Sequence, residues 1–181
     1  MNMLDAHNFD FKLNIRHPYE VAQRVLAILA VLDRTYTIEA SPALDWVYAY
    51  GVHKHFSEAE KKFYFTKNVS KQEREMFSWL TESLAVLMWS MGYLEDLPPL
   101  HQRFELATMP YLDHITSSTT QFLADACLRH PDALMIAEEQ HYQAHWQIMN
   151  AESAIGLISN KISPEIIYER RYAFSWLVGM E

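Results

Sequence analysis

Glu138, His141 and His145 follow one another at steps of three and four residues. On a helix that spacing puts a carboxylate and two imidazoles on one face. Such a trio can hold a metal ion or pass a proton. Two other helical stretches also carry ionisable groups among apolar ones. Glu82 falls between Trp79, Val86 and Trp89, and Arg170 falls among Ile166, Ile167, Ala173, Phe174 and Leu177. Charged side chains are almost never buried alone. The signs are complementary, so the economical expectation is that these groups converge in the interior. Arg170 should pair with Glu82, Glu138 or both, with His141 and His145 hydrogen-bonded nearby.

Three kinds of chemistry are open to that cluster. A Glu-x-x-His step is half of a ferritin-like di-iron site, but the second half is missing. The His-Glu-x-x-His of zinc proteases is also missing. A buried network that fixes helix register is the leading reading. Acid–base catalysis in a cleft and metal binding are the rivals. The expectation is therefore a polar cluster of Glu82, Glu138, His141, His145 and Arg170, with no assigned catalytic residue, metal or cofactor.

The elements that must position these residues are helical. Four glycines in 181 residues, no two within 20 positions of each other, leave no phosphate-cradling loop and no nucleophile elbow. A single cysteine, Cys127, rules out a disulfide framework and reads as a small core residue in helical context. Pro18 opens a first helix to about Arg34, and Ser41-Pro42 opens a second that ends near Gly51. Ser57 with Glu60 and Ser70 with Glu73 are capping boxes. The second box opens a long fourth helix, apolar nearly all round from Trp79 and closed by Gly92, which belongs at the centre of a bundle. A fifth helix is expected over about 117–129. A sixth runs from Pro131 to about Ala154, before Gly156, with Tyr142, Ile148 and Met149 on its apolar side and Glu138, His141, His145 and Glu152 in the middle of it. The last runs from Ser163-Pro164 to Gly179. Phe9, Phe11, Leu13 and Ile15 alternate with polar residues, which is strand periodicity. Residues 1–15 are read as an extended arm, with a small β element or a strand shared with a second subunit as alternatives. The chain is thus expected to be all-α, a single-domain bundle-like fold of about seven helices over 16–181.

Net charge is −8. Such a surface repels phosphate backbones, so no nucleic acid is expected, although Lys54 to Arg74 gathers six of the 15 basic residues. The N-terminal stretch lacks the basic and apolar regions of a signal peptide, and the longest apolar run, Val25 to Leu32, is too short to span a bilayer. A cytoplasmic protein without membrane contact is expected.

Three segments resemble a known family. Trp79-Leu80-Thr81-Glu82-Ser83-Leu84, Leu87-Met88-Trp89-Ser90-Met91-Gly92 and Leu97-Pro98 resemble the central signature, roughly WRxEA…LLWALG…LP, of the bacterial family called domain of unknown function 4272. His145-Trp146 is similar to its HWAxR segment, and Glu169 to Leu177 to its ERxxALNWL segment. Leu80 and Met149 stand where that family usually has arginine. The resemblance runs from about Arg16 to the end. It implies a helical domain with no assigned activity, and it points to Glu82, His145 and Arg170. The functional expectation is a non-enzymatic protein-binding module with a basic partner, in one form an immunity-like protein neutralising a toxin. An enzyme or metal protein using the inward cluster is the alternative. The oligomeric state stays open, a homodimer included.

Overall fold

The computed structural model describes residues 14–37, 43–109, 111–151 and 163–180, which hold nine α-helices, two short 3-10 turns and no strand. The helices are α1 (Pro18–Tyr36), α2 (Leu44–Ala49), α3 (Glu58–Phe65), α4 (Lys71–Ser78), α5 (Leu80–Ser90), α6 (Leu112–Ser117), α7 (Thr119–Ala124), α8 (Pro131–Ala151) and α9 (Pro164–Leu177). The chain is all-α, as its composition requires. Residues 8–13, Ser41-Pro42, Glu152 and Gly156 lie outside the described residues.

Both capping boxes form. Ser57 Oγ accepts from the Glu60 N–H while the Glu60 carboxylate accepts from the Ser57 N–H, and Ser70 with Glu73 repeats the exchange. Glu60 then does a second job, accepting a two-pronged bond from Arg24 on α1 at 2.7 and 2.8 Å. Burial alone would raise the Glu60 pKa, but Arg24 and Ser57 outweigh it and hold the carboxyl below its usual range.

Two expected helices are each split in two. The fourth breaks at Trp79 into α4 and α5. Ser78 Oγ bonds the Glu75 carbonyl at 2.7 Å and Thr81 Oγ1 bonds the Ser78 carbonyl at 3.0 Å. Hydroxyls that compete for helix carbonyls bend the ladder. Here Trp79 and Glu82 both reach back only three residues. The fifth begins at Leu112, breaks at Ser118 within a Thr-Ser-Ser-Thr-Thr run, and ends at Ala124. Cys127 therefore follows the helix and is exposed, which corrects its reading as core.

The helices α1, α5, α9 and α8 stack in that order, and α1 also carries α3, α4 and α7. Nearly every residue of α5 is buried. The expected centre is thus its second half, wedged between α1 and α9. No helix among the described residues is long and apolar enough to cross a membrane.

Glycine ends both α5 and α9. After α5, Gly92 has φ +82°, and the Tyr93 N–H returns to the Met88 carbonyl. After α9, Gly179 has φ +71°, and the Met180 N–H returns to the Ser175 carbonyl. These are Schellman ends, which want the left-handed conformation that glycine adopts without strain. Their surroundings differ. A Cβ on Gly92 would meet nothing within 4 Å, whereas one on Gly179 would lie 2.7 Å from the Asn14 carbonyl oxygen. Residues 14–16 dock there, with the Arg16 N–H on the Leu177 carbonyl and Arg16 Nε on the Trp176 carbonyl. In urea denaturation, Gly92→Ala should cost roughly 1 kcal/mol of backbone strain. Gly179→Ala should cost roughly twice that or more, because the Asn14 segment must also move. Equal losses would show that this docking carries no stability.

Candidate functional site

The break at Trp79 makes Glu82 a first-turn residue of α5, where the helix dipole favours a carboxylate. Its side chain points at α9 and has no exposed surface, and neither has Arg170. Arg170 Nε donates to Glu82 Oε2 at 2.8 Å. The other Glu82 oxygen accepts from the Phe104 N–H at 2.6 Å. Arg170 Nη1 donates to the Pro98 carbonyl and Nη2 to the Gln102 carbonyl. The pair therefore also holds the irregular 98–104 segment across the bundle.

Glu138 does not join it. Glu138 is 8% exposed on α8, and no ion pair links it to Arg170 among the described residues. Burial pushes its carboxyl pKa up, and the charge that opposes this is that of Arg171. The reason is geometric. Arg170 and Arg171 are turned about 100° apart on α9, so Arg170 meets α5 and Arg171 meets α8. The Arg171 guanidinium lies 4.7 Å from the centre of the Tyr142 ring, and its Nη1 donates to His145 Nδ1 at 3.3 Å. His145 Nδ1 is thus the acceptor, and Nε2 carries its proton.

His141 sits between these layers, 8% exposed, with its ring 4.7 Å from that of Phe174. Its Nδ1 donates to the Ala137 carbonyl at 2.7 Å, and Nε2 has no partner among the described residues. Burial lowers its pKa, Arg170 lowers it further, and the Ala137 bond only partly offsets this. Tyr142 and Met149, expected on the core side of this helix, are 42% and 56% exposed. They flank the buried stripe instead of joining it. No group of three or more His, Cys, Asp and Glu side chains among the described residues is arranged to hold a metal ion.

The outer layer opens into a cleft of about 320 Å³ between the end of α8 and the start of α9. Trp79, His145, Ile148, Met149, Tyr168 and Glu169 form most of its lining. Glu169 was not singled out by residue type or spacing. It is half-buried, and burial followed by the like charge of Glu82 raises its pKa. Burial and then Arg171 lower that of His145. The signal for Glu169 was its place one residue before Arg170, but which way it faces depends on the rotation of α9.

A family model described as Domain of unknown function (DUF4272) matches residues 9–181. The chain belongs to this family. No curated protein and no solved structure matches it. In this DUF4272 chain the three segments that carried the resemblance meet in space. Trp79, His145 and Glu169 line the cleft, and Glu82 with Arg170 lies beneath it.

Two outcomes follow from this geometry. Arg170→Met leaves Glu82 buried without its counter-charge and should cost about 3–5 kcal/mol at neutral pH. A loss below about 1 kcal/mol in urea denaturation would show that the pair does not lock the interior. For His141 the folded pKa lies below the ordinary 6.5, so the unfolded chain binds the proton first. Its contribution is present above about pH 6.5 and is lost as the pH falls toward the folded value. Thermal melts from pH 7.5 to 5.5 should show a smaller decline for His141→Gln than for the wild type.

Proposed function

We propose that this protein is a protein-binding module whose partner is basic, and that it docks through the outer face of α8 and α9. The observation that carries this is a row of large exposed side chains on one side of the bundle. Tyr142, Trp146 and Met149 lie one turn apart along a flank of α8, and Tyr168 and Tyr172 lie one turn apart on α9. Trp146 alone is 56% exposed. Aromatic residues, methionine and arginine are the types enriched at the centres of protein interfaces. Glu139 and Glu165 are exposed on the same two helices, and the whole chain carries −8. Such a field speeds encounter with a positively charged protein. An immunity-like neutraliser of a basic toxin is one concrete form of this role.

The interior pair supports binding over catalysis. Glu82 and Arg170 have no exposed surface and all their geometry is spent on each other and on backbone groups. They favour a role in holding the α5–α9 packing that presents the outer face.

Affinity capture at low salt with the wild-type chain, and with a folded Trp146→Ala/Tyr168→Ala variant, tests the proposal. The wild type should retain a basic protein whose recovery falls as salt rises. The double variant should retain at least tenfold less. Recovery of no basic protein, or equal recovery by the variant, would refute the reading.

A further inference from the structure

We propose that the α8–α9 cleft is a socket for a single arginine or lysine side chain of the basic partner. This deepens the docking reading above and rests on it for the source of the side chain. The cleft is of ligand-binding size, about 320 Å³. Its walls suit the stem of such a residue, being formed by Ile148, Met149 and the rings of Trp79 and Tyr168. Aromatic faces also attract the cationic head.

Its polar lining selects the sign of the head. Glu165 and Glu169 both border the cleft. Glu165 accepts from Ser163 Oγ at 2.8 Å, and its pKa is lowered by its own backbone N–H and by that serine, so it stays ionised. Glu169 is half-buried, and among the described residues the charge that acts on it is the like charge of Glu82. The cations nearby among the described residues face other groups. Arg170 is spent on Glu82 and two carbonyls, and Arg171 lies against Tyr142 and His145 on α8, with its Nε unpartnered among the described residues. Arg103 stacks on Trp79 and bonds Ser78 Oγ without lining the cleft. A half-buried carboxyl with no counter-charge among the described residues, at the edge of an apolar slot, is completed by an incoming ammonium or guanidinium. An anion would meet two carboxylates, and a purely apolar group would leave Glu169 desolvated and unpaired.

The probes are N-acetyl-arginine amide, N-acetyl-lysine amide and N-acetyl-norleucine amide, titrated into the intact protein. The readout is the Trp79 indole N–H resonance in a proton–nitrogen spectrum, assigned by its loss in Trp79→Phe. At least one cationic probe should shift that signal saturably. Norleucine should bind at least tenfold more weakly, and Glu169→Gln, with an otherwise unchanged spectrum, should lose about tenfold in affinity for the cation. No saturable shift with either cation, equal binding of norleucine, or full binding by Glu169→Gln would overturn the socket. Free arginine, which brings its own carboxylate toward Glu165 and Glu169, should bind more weakly than the capped form. Tighter binding of the free amino acid would overturn the assignment to a partner side chain. The titration needs no partner, so the two readings fail separately. Cation binding without capture of a basic protein would remove the docking role, and capture without cation binding would remove the socket.

Discussion

The contact between Glu82 and Arg170 is the constraint on which the rest of the structure depends. Stripping water from a carboxylate and a guanidinium costs several kcal/mol per ion, and their mutual attraction offsets that only when the remaining donors and acceptors are also satisfied. Here they are satisfied by backbone. Glu82 takes the Phe104 N–H, and Arg170 gives to the carbonyls of Pro98 and Gln102. The 98–104 segment holds Pro98 and Pro99 and has no helix of its own. Where such an irregular segment turns its backbone inward, its carbonyls need donors. The ion pair and the irregular segment each supply what the other lacks, and Phe104, 6% exposed, enters the core at the point where they meet.

Arginine donation to backbone carbonyls recurs elsewhere in the fold. Arg34 donates to the carbonyls of Thr66 and Lys67. Arg74 donates to those of Arg34, Thr35 and Thr37, and Arg129 to those of Trp89, Leu94 and Glu95. Each guanidinium closes a place where a helix stops and the chain turns. A planar fork with five donors can reach several carbonyls at once, which a lysine cannot do. In a fold with this many short helices, the unsatisfied carbonyls at helix ends are many. Arginine supplies the missing donors from neighbouring elements, and so ties those elements together.

This explains what could and could not be read from residue order. Helix starts and stops were legible because their chemistry is local: a serine with a glutamate three residues on, a proline in the first turn, a glycine after the last. The Glu82–Arg170 pairing was legible because burial demands an opposite charge and the apolar stripes fixed which residues were buried. The partner of Glu138 was not legible. One step along α9 changes which helix a side chain meets, and stripe patterns do not resolve Arg170 from Arg171 as neighbours of α8. The breaks at Trp79 and Ser118 come from hydroxyls competing for carbonyls, a weak effect that residue type alone does not decide. Backbone carbonyls as partners leave no trace in the sequence, so Arg34, Arg74 and Arg129 carried no signal, and Arg24–Glu60 was hidden behind the capping role of Glu60. The exposure of Cys127, Tyr142 and Met149 followed from helix ends and rotations that could be fixed only by packing.

Three consecutive residues of α9 show how one helix serves both the interior and the surface. Glu169 faces the cleft, Arg170 faces α5, and Arg171 faces α8. Turning α9 by one residue would exchange a locked cation for an unpaired carboxylate in the core. The buried pair therefore fixes the rotation of α9 far more tightly than its apolar contacts alone, because hydrophobic packing is non-directional while the charge-assisted bonds are not. With that rotation fixed, Tyr168 and Tyr172 are held outward, and Arg171 is held against Tyr142 and His145 on α8. A rigid aromatic face loses little side-chain entropy when it meets a partner. In the proposed docking role the interior charges would act indirectly: they have no exposed surface, and they hold the helix that carries Tyr168 and Tyr172.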